Sequence, residues 1–239
     1  MFKINKQVPI EDLLSRQMNL WQKSHKKSQA KKTGLYPNIT ISREVGSRSG
    51  ELIERISARL KWKIYGKEIV DYISKNSKIR KNIVELFDEK TRNEMDTLLA
   101  TLMDGRTMSN EMYLNHLAKT LVTLGKHSNA IIIGRGANFI LSDNMAFKIR
   151  IVEDLKDRLR NLSHQEPKPL SEKELKKEEA KRSSFIQRYF SEKIDNPANY
   201  DLVINLSKMD MATAEEIVIC ALQRKYCLTE DELKDDLAG

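Results

Sequence analysis

Cysteine is nearly absent from this chain. Cys220 and Cys227 stand seven apart in a helical pattern, with no CxxC pair and no histidine cluster nearby. That excludes a disulfide framework and a cysteine-built zinc site; both residues are expected as buried thiols. The four histidines, His25, His116, His127 and His164, are scattered, so no metal site made of protein side chains is expected. No apolar run approaches the roughly 18 residues of a membrane span. The N-terminus, "MFKINKQVPIEDLL", lacks the apolar stretch of a signal peptide. The expected setting is the cytoplasm, with no membrane partner.

What is present is enough for one sizeable core: 239 residues, 40% of them apolar and 32% charged, the balance of an ordinary soluble domain. The net charge of +8 is concentrated at one end. Residues 1–36 carry eight Lys/Arg against Glu11 and Asp12, while the other residues are close to neutral. They show no basic stripe studded with aromatics, so a nucleic-acid partner is not expected beyond that leader. The leader pairs a short amphipathic helix, "PIEDLLSRQMNLWQ", with a polar run, "KSHKKSQAKKTG". Three segments are expected: the leader at 1–36, a folded domain at 37–227, and an acidic tail at 228–239.

Within the domain, short β-rich runs alternate with helical patterns. Strands are expected at "NITIS", "KWKIY", "NAIIIG", "AFKIRIV" and "YDLVINL". Helices are expected near 50–60, 67–103 with breaks near Asn76 and Phe87, 109–127, 153–164, 171–191 and 212–226. Strands that are apolar throughout, rather than alternating, belong in a parallel sheet covered on both faces. Ligands bind such sheets at the carboxyl ends of the strands.

Three segments near those ends could carry chemistry. The first, "REVGSRSGE" after the first strand, has Gly46 and Gly50 to relieve the turn. Ser47 or Ser49 can cap the helix, whose N-terminus offers N–H groups to phosphate. No lysine completes the cradle: Ser49 stands at that position and Gly50 where a magnesium-binding hydroxyl is usual. Arg43 and Arg48 are the available substitutes for its charge. An ordinary βα turn explains the same glycines and serines. The second, "IIIGRGANFIL", leaves Arg135 at a strand tip, as a bidentate phosphate donor or a solvated side chain. In the third, "KELKKEEAKRSSFIQRYF", Glu178 and Arg182 are spaced as a surface pair, while Lys181 and Arg188 share a face. That face is either solvated or part of a lid closing over phosphates.

Read together, "ITISREVGSRSGELIERIS", "WKIYGKEIVDYI", "IIIGRGANFIL", "KIRIVEDLKDRLRNL" and "EEAKRSSFIQRYFSEKIDNPANYDLVINLSKMDMATAEEIV" resemble the cytidylate kinase-like family of P-loop nucleoside monophosphate kinases over roughly residues 38–223. The resemblance implies a P-loop kinase three-layer α/β sandwich: a five-stranded parallel sheet, helices on both faces, and a helical lid at about 166–193. It implies nucleotide substrates, ATP and Mg²⁺. The ATP phosphates would meet Ser42, Arg43, Glu44 and the loop Gly46, Ser47, Arg48, Ser49, Gly50 and Glu51. Arg135 and Arg158 would hold the acceptor, with Arg48, Arg182 and Arg188 as catalytic arginines. The family pattern Gly-Ser-Gly-Gly-Arg-Glu reads Gly46-Ser47-Arg48-Ser49-Gly50-Glu51 here, an arginine at a glycine position. Gly66 and Gly136 replace two family aspartates. The implied activity is transfer of the ATP γ-phosphoryl group to a CMP- or dCMP-like acceptor. The altered loop fits a nucleotide sensor or scaffold without turnover as the alternative, and the basic leader alone points to nucleic-acid binding.

Overall fold

The computed structural model describes residues 37–76, 111–127, 129–163 and 170–234, with scattered positions between 78 and 97. The leader, most of the stretch expected as helix between 77 and 110, the start of the expected lid and the last five residues lie outside the described residues.

Five strands form one parallel sheet: β1 (Ile39–Arg43), β2 (Lys63–Tyr65), β3 (Ala130–Ile133), β4 (Phe147–Val152) and β5 (Leu202–Asn205), in the order β2-β3-β1-β4-β5. The central strands β1 and β3 are buried on both faces, whereas the edge strands β2 and β5 are partly exposed. Ile131 and Ile133 of β3 point into one core cluster with Ile39, Ile41, Ile149 and Ile151, while Ile132 points into the other. The first cluster is closed by α1 (Ser49–Leu60) and α7 (Met211–Tyr226); the second packs α2 (Lys67–Lys75) and α3 (Glu111–Lys126) against the sheet. Helix α1 presents Leu52, Ile53, Ile56 and Leu60, the helical spacing that puts one stripe inward. Asn38 fastens the start of β1: its amide donates to Gly125 O and Met145 O, both at 2.8 Å, and its side-chain oxygen accepts from Ala130 N–H.

A one-turn helix α4 (Ala137–Ile140), not expected from the sequence, follows β3, and α5 (Leu155–Ser163), expected near 153–164, follows β4. Two further features differ from the sequence expectation. The segment expected as an acidic tail begins with α8 (Glu230–Lys234), which docks: Leu233 is fully buried, Trp62 Nε1 donates to Leu233 O at 2.8 Å, and Arg59 pairs with Glu230. A single apolar anchor inside an acidic run is enough when a buried indole supplies a hydrogen bond. Cys220 and Cys227 are exposed, not buried. The buried residues of α7 include Val218, Ile219, Leu222 and Tyr226, and Cys220 falls outside that set.

The helix expected over 171–191 is α6 (Glu172–Phe190), opened by a capping box between Ser171 and Glu174. It lies down on the domain. Leu175 packs with Val45 and Leu162, while Ile186 and Phe190 enter the core beside α3 and α4. Among the described residues no helix is long and apolar enough to cross a membrane.

Candidate active site

Strand β1 carries Ser42 and Arg43 to its carboxyl end, and the chain reverses through Glu44–Arg48 into α1. Gly46 is required at this turn: its φ is +81°, and a Cβ there would stand 2.7 Å from Leu162 Cδ1 and 3.0 Å from Arg158 O. Neither serine caps α1. The N-cap is Arg48, with no side-chain cap; the Ser47 hydroxyl lies 2.9 Å from both Glu44 O and Ser49 Oγ, and Arg43 Nη1 donates to Ser49 Oγ at 3.3 Å. The capping role falls to Glu153, just past β4. Its fully buried carboxylate accepts from Arg48 N–H at 2.8 Å, Arg48 Nε at 2.7 Å and Asn161 Nδ2 at 3.1 Å. An anion of the protein itself thus occupies the start of the helix, where its dipole favours negative charge. Arg48 is drawn away across the crevice, its Nη2 donating to Leu206 O at 2.6 Å.

Beside the loop, a cavity of about 540 Å³ opens between the carboxyl ends of β1, β2 and β3 and the underside of α6. Ile41, Ile133, Phe185 and Ile186 give it apolar lining; Arg43, Arg135 and Arg182 with Lys67 and Lys181 bring positive charge, and Glu68 and Glu178 bring negative charge. Arg43 is held down to about 10 by burial and by Arg182, against the pull of Glu68. Arg182 donates through Nη1 to Arg43 O at 2.9 Å. Its pKa is lowered by burial, with Glu179 opposing and Arg150 adding to the shift.

Arg135 sits in a run of three left-handed residues: Gly134, Arg135 and Gly136 have φ of +73°, +54° and +66°. A non-glycine residue there is strained, and such strain is held in place by its surroundings. Asp71 pairs with the Arg135 guanidinium and the Phe185 ring lies 5.5 Å from it. A Cβ on Gly136 would enter the Phe190 ring. The ring, stacked on Phe139 at 5.1 Å, fills the space an aspartate at that position would need.

Not every residue singled out from the sequence reaches this place. Arg158 is turned inward, donating to Val45 O at 3.2 Å and pairing with Glu179 and, at 3.5 Å, with Glu44. It staples α5 to the loop and to α6. Arg188 is exposed in the last turn of α6, 5.6 Å from the Tyr189 ring, and does not line the cavity. Glu51 is exposed on α1, and the space a side chain would take at Gly50 is open.

Glu153, Arg150 and Asp71 also stand at or beside the site and are not among the residues expected there. Glu153 follows β4 directly, so the strand-end rule that selected the other loops also pointed to it. Arg150 and Asp71 lie within a strand and a helix and gave no such signal.

The residues beside the loop do not fit a protein-held Mg²⁺ ion. Such an ion needs hard oxygens free to face it. Glu153 is taken by Arg48 and Asn161; Glu44 accepts Glu153 N–H at 2.9 Å and faces Arg158; the Ser49 hydroxyl accepts from Arg43. No group of three or more His, Cys, Asp or Glu suited to a metal occurs among the described residues. On the far side of the loop a second, polar cavity of about 490 Å³ runs between Arg48, Asp157, Asn161 and the Ser207–Asp210 turn.

A central β1, a glycine-hinged loop leading into α1, and a helix laid over the strand ends make this a P-loop kinase-like α/β fold, a three-layer sandwich around a parallel sheet. The profile of the cytidylate kinase-like family matches residues 38–208, and the chain belongs to that family. Among solved structures it is similar to an uncharacterized protein from Eubacterium ventriosum, at 20% identity and a TM-score of 0.52 over 78% of this chain and 98% of that one. It is also similar to shikimate kinase from Bacteroides thetaiotaomicron, at 14% identity and a TM-score of 0.42 over 80% and 98%. No curated protein matches.

Proposed function

We propose that this protein is a cytoplasmic ATP-dependent phosphotransferase whose acceptor, a CMP- or dCMP-like nucleoside monophosphate, occupies the cavity under α6. The observation that carries this is the position of Arg43: it lines the cavity and at the same time donates to Ser49 at the start of α1. A phosphoryl group passing from the loop to the cavity would pass its guanidinium.

In this reading the ATP phosphates lie along Gly46–Glu51, the acceptor lies over Ile41 and Ile133 with Phe185 beside it, and Arg135 faces it from the end of β3. An acceptor phosphate oxygen attacks the γ-phosphorus, that P–O bond forms, the bond to the β,γ-bridging oxygen breaks, and ADP leaves. The attacking oxygen is already ionised, so no general base is required. The chemistry asks for alignment and for positive charge around the transferring group. Arg43 and Arg182 supply both, with Arg182 carried by α6 and so present only while the helix lies over the cavity.

A coupled assay for ADP, run with ATP and each of CMP, dCMP, UMP, AMP and GMP, tests it. The expected result is acceptor-dependent turnover with a preference for one monophosphate. ATP binding without turnover for any of them would instead favour a nucleotide-binding sensor, a reading supported by the Glu153 carboxylate already seated on Arg48 N–H.

A further inference from the structure

Three guanidinium groups gather where β1 and β4 end. Arg43 and Arg182 line the cavity, and Arg150, opposite Ser42 in the strand register, lies a layer behind them. Arg150 is only 7% exposed. Its Nη1 donates to Ser42 Oγ at 2.8 Å, its Nε has no hydrogen-bond partner, and no carboxylate among the described residues pairs with it. The other buried arginine provides a control. Arg158 is equally buried and faces two carboxylates, Glu44 and Glu179. Arg135 has Asp71 and Arg48 has Glu153.

Burying a cation without a counter-charge is costly, and native proteins pair such groups. Arg150 faces a neutral hydroxyl instead, with the Arg182 guanidinium close enough to act on it electrostatically. Tyr200 beside it adds no negative charge, because burial pushes its phenol further up and keeps it protonated. No carboxylate among the described residues supplies the missing charge, and a bound anion would. A tetrahedral dianion with several terminal oxygens suits three guanidinium groups and a serine hydroxyl better than a carboxylate, which one arginine fork satisfies.

We propose that Arg150 is the inner anchor of a phosphomonoester site in this cavity: the ligand's dianionic phosphate rests against Ser42, held between Arg43 and Arg182, and compensates Arg150 behind them. The existence of the anion site stands on the cluster itself. Only the identity of the ligand as a nucleotide rests on the function proposed above.

The test titrates the full chain, as wild type, R150K, R150M and R150Q, with CMP, cytidine and inorganic phosphate, by calorimetry and thermal denaturation. Wild type should bind CMP more tightly than cytidine and melt higher in phosphate. R150M and R150Q should lose about tenfold or more in CMP affinity and leave cytidine binding unchanged. Without ligand they should melt at or above the wild-type temperature, since the substitution removes an uncompensated buried charge. R150K should retain part of the CMP affinity.

A structural role predicts the reverse. Ligand-free R150M and R150Q that melt lower or fail to fold, with CMP affinity retained wherever the protein folds, would overturn the proposal. So would a wild type that shows no preference for CMP over cytidine and no response to phosphate. If wild type binds CMP and phosphate through Arg150 but transfers no phosphoryl group, the enzymatic reading fails and the anion site stands.

Discussion

At the loop before α1, a buried carboxylate has been brought to a helix N-terminus: Glu153 meets Arg48 N–H, Arg48 Nε and Asn161. In the neighbouring cavity the arrangement is inverted. Arg43 and Arg182 line the cavity with Glu68 and Glu178, and Arg150 behind them pairs with no carboxylate among the described residues. The first region seats a carboxylate directly on its arginine; the second, although Glu68 and Glu178 line it, seats none among the described residues on Arg150. The contrast separates two properties usually read from one motif. A glycine- and serine-rich turn marks where a phosphate site can be built, but whether the site is open depends on side chains that arrive from elsewhere in the chain. Here the side chain that arrives is an acid.

The largest effect expected from this contrast is on catalysis at the cation-rich side. Arg182 reaches Arg43 O from α6 and lines the cavity, whereas Arg188 does not line it. R182A should lower kcat about a hundredfold, the loss of roughly 3 kcal/mol of charge stabilisation made mainly in the reacting complex, with little change in ATP affinity. R188A should leave both near wild type. Steady-state kinetics on the two variants checks this, and equal losses would show that α6 occupies a different position in the reacting complex.

A middle-sized effect of opposite sign is expected at the loop. If Glu153 competes with the ATP phosphates for the start of α1, E153Q keeps the shape and removes the charge. ATP affinity should rise about tenfold, about 1.4 kcal/mol, while the melting temperature falls because Arg48 loses its charged partner. Calorimetry with ATP reads the first and thermal denaturation the second. Affinity that is unchanged or weaker would mean that the phosphates bind away from Arg48, and that Glu153 braces the loop rather than competing for it.

Much of the fold was legible because parallel strands buried on both faces leave uninterrupted β-branched runs. β1 was expected at Asn38–Ser42 and lies at Ile39–Arg43; β4 was expected from Ala146 and starts at Phe147. The losses were local. The four residues of α4 are too few for a helical period. Three acids at the start of α8 hid the one residue that docks it, Leu233. Cys220 follows an apolar pattern yet faces out. The site was legible in part for a different reason. Gly46, Arg43, Arg135 and Arg182 announce themselves by type and place. The group that caps α1 lies 105 residues from Arg48, however, and no local spacing signals it. Arg188 matched Arg182 as a lid arginine and Arg158 matched an acceptor arginine by resemblance, but a match in sequence does not give the neighbour that a side chain meets.

The smallest expected effect separates the two glycines of the loop. Gly46 has a left-handed φ and no room for a Cβ, so G46A strains the backbone and pushes α5 away; lost nucleotide binding in that variant says nothing about phosphate. Gly50 has neither constraint: its φ is not left-handed, no packed neighbour among the described residues lies within 4 Å of a Cβ placed there, and it sits in the first turn of α1. Ala is the better helix former, so on the protein's own account Gly50 is a loss. G50A should raise stability by about 0.5 kcal/mol. A glycine where alanine would fit leaves room for a ligand to approach the backbone closely. If that is the ATP phosphates, G50A should weaken ATP binding while it raises the melting temperature, and the two measurements should move in opposite directions. A variant that is more stable and binds ATP as well as wild type would place the phosphates elsewhere, and the loop would then be what Glu153 makes of it: a turn closed by the protein's own carboxylate.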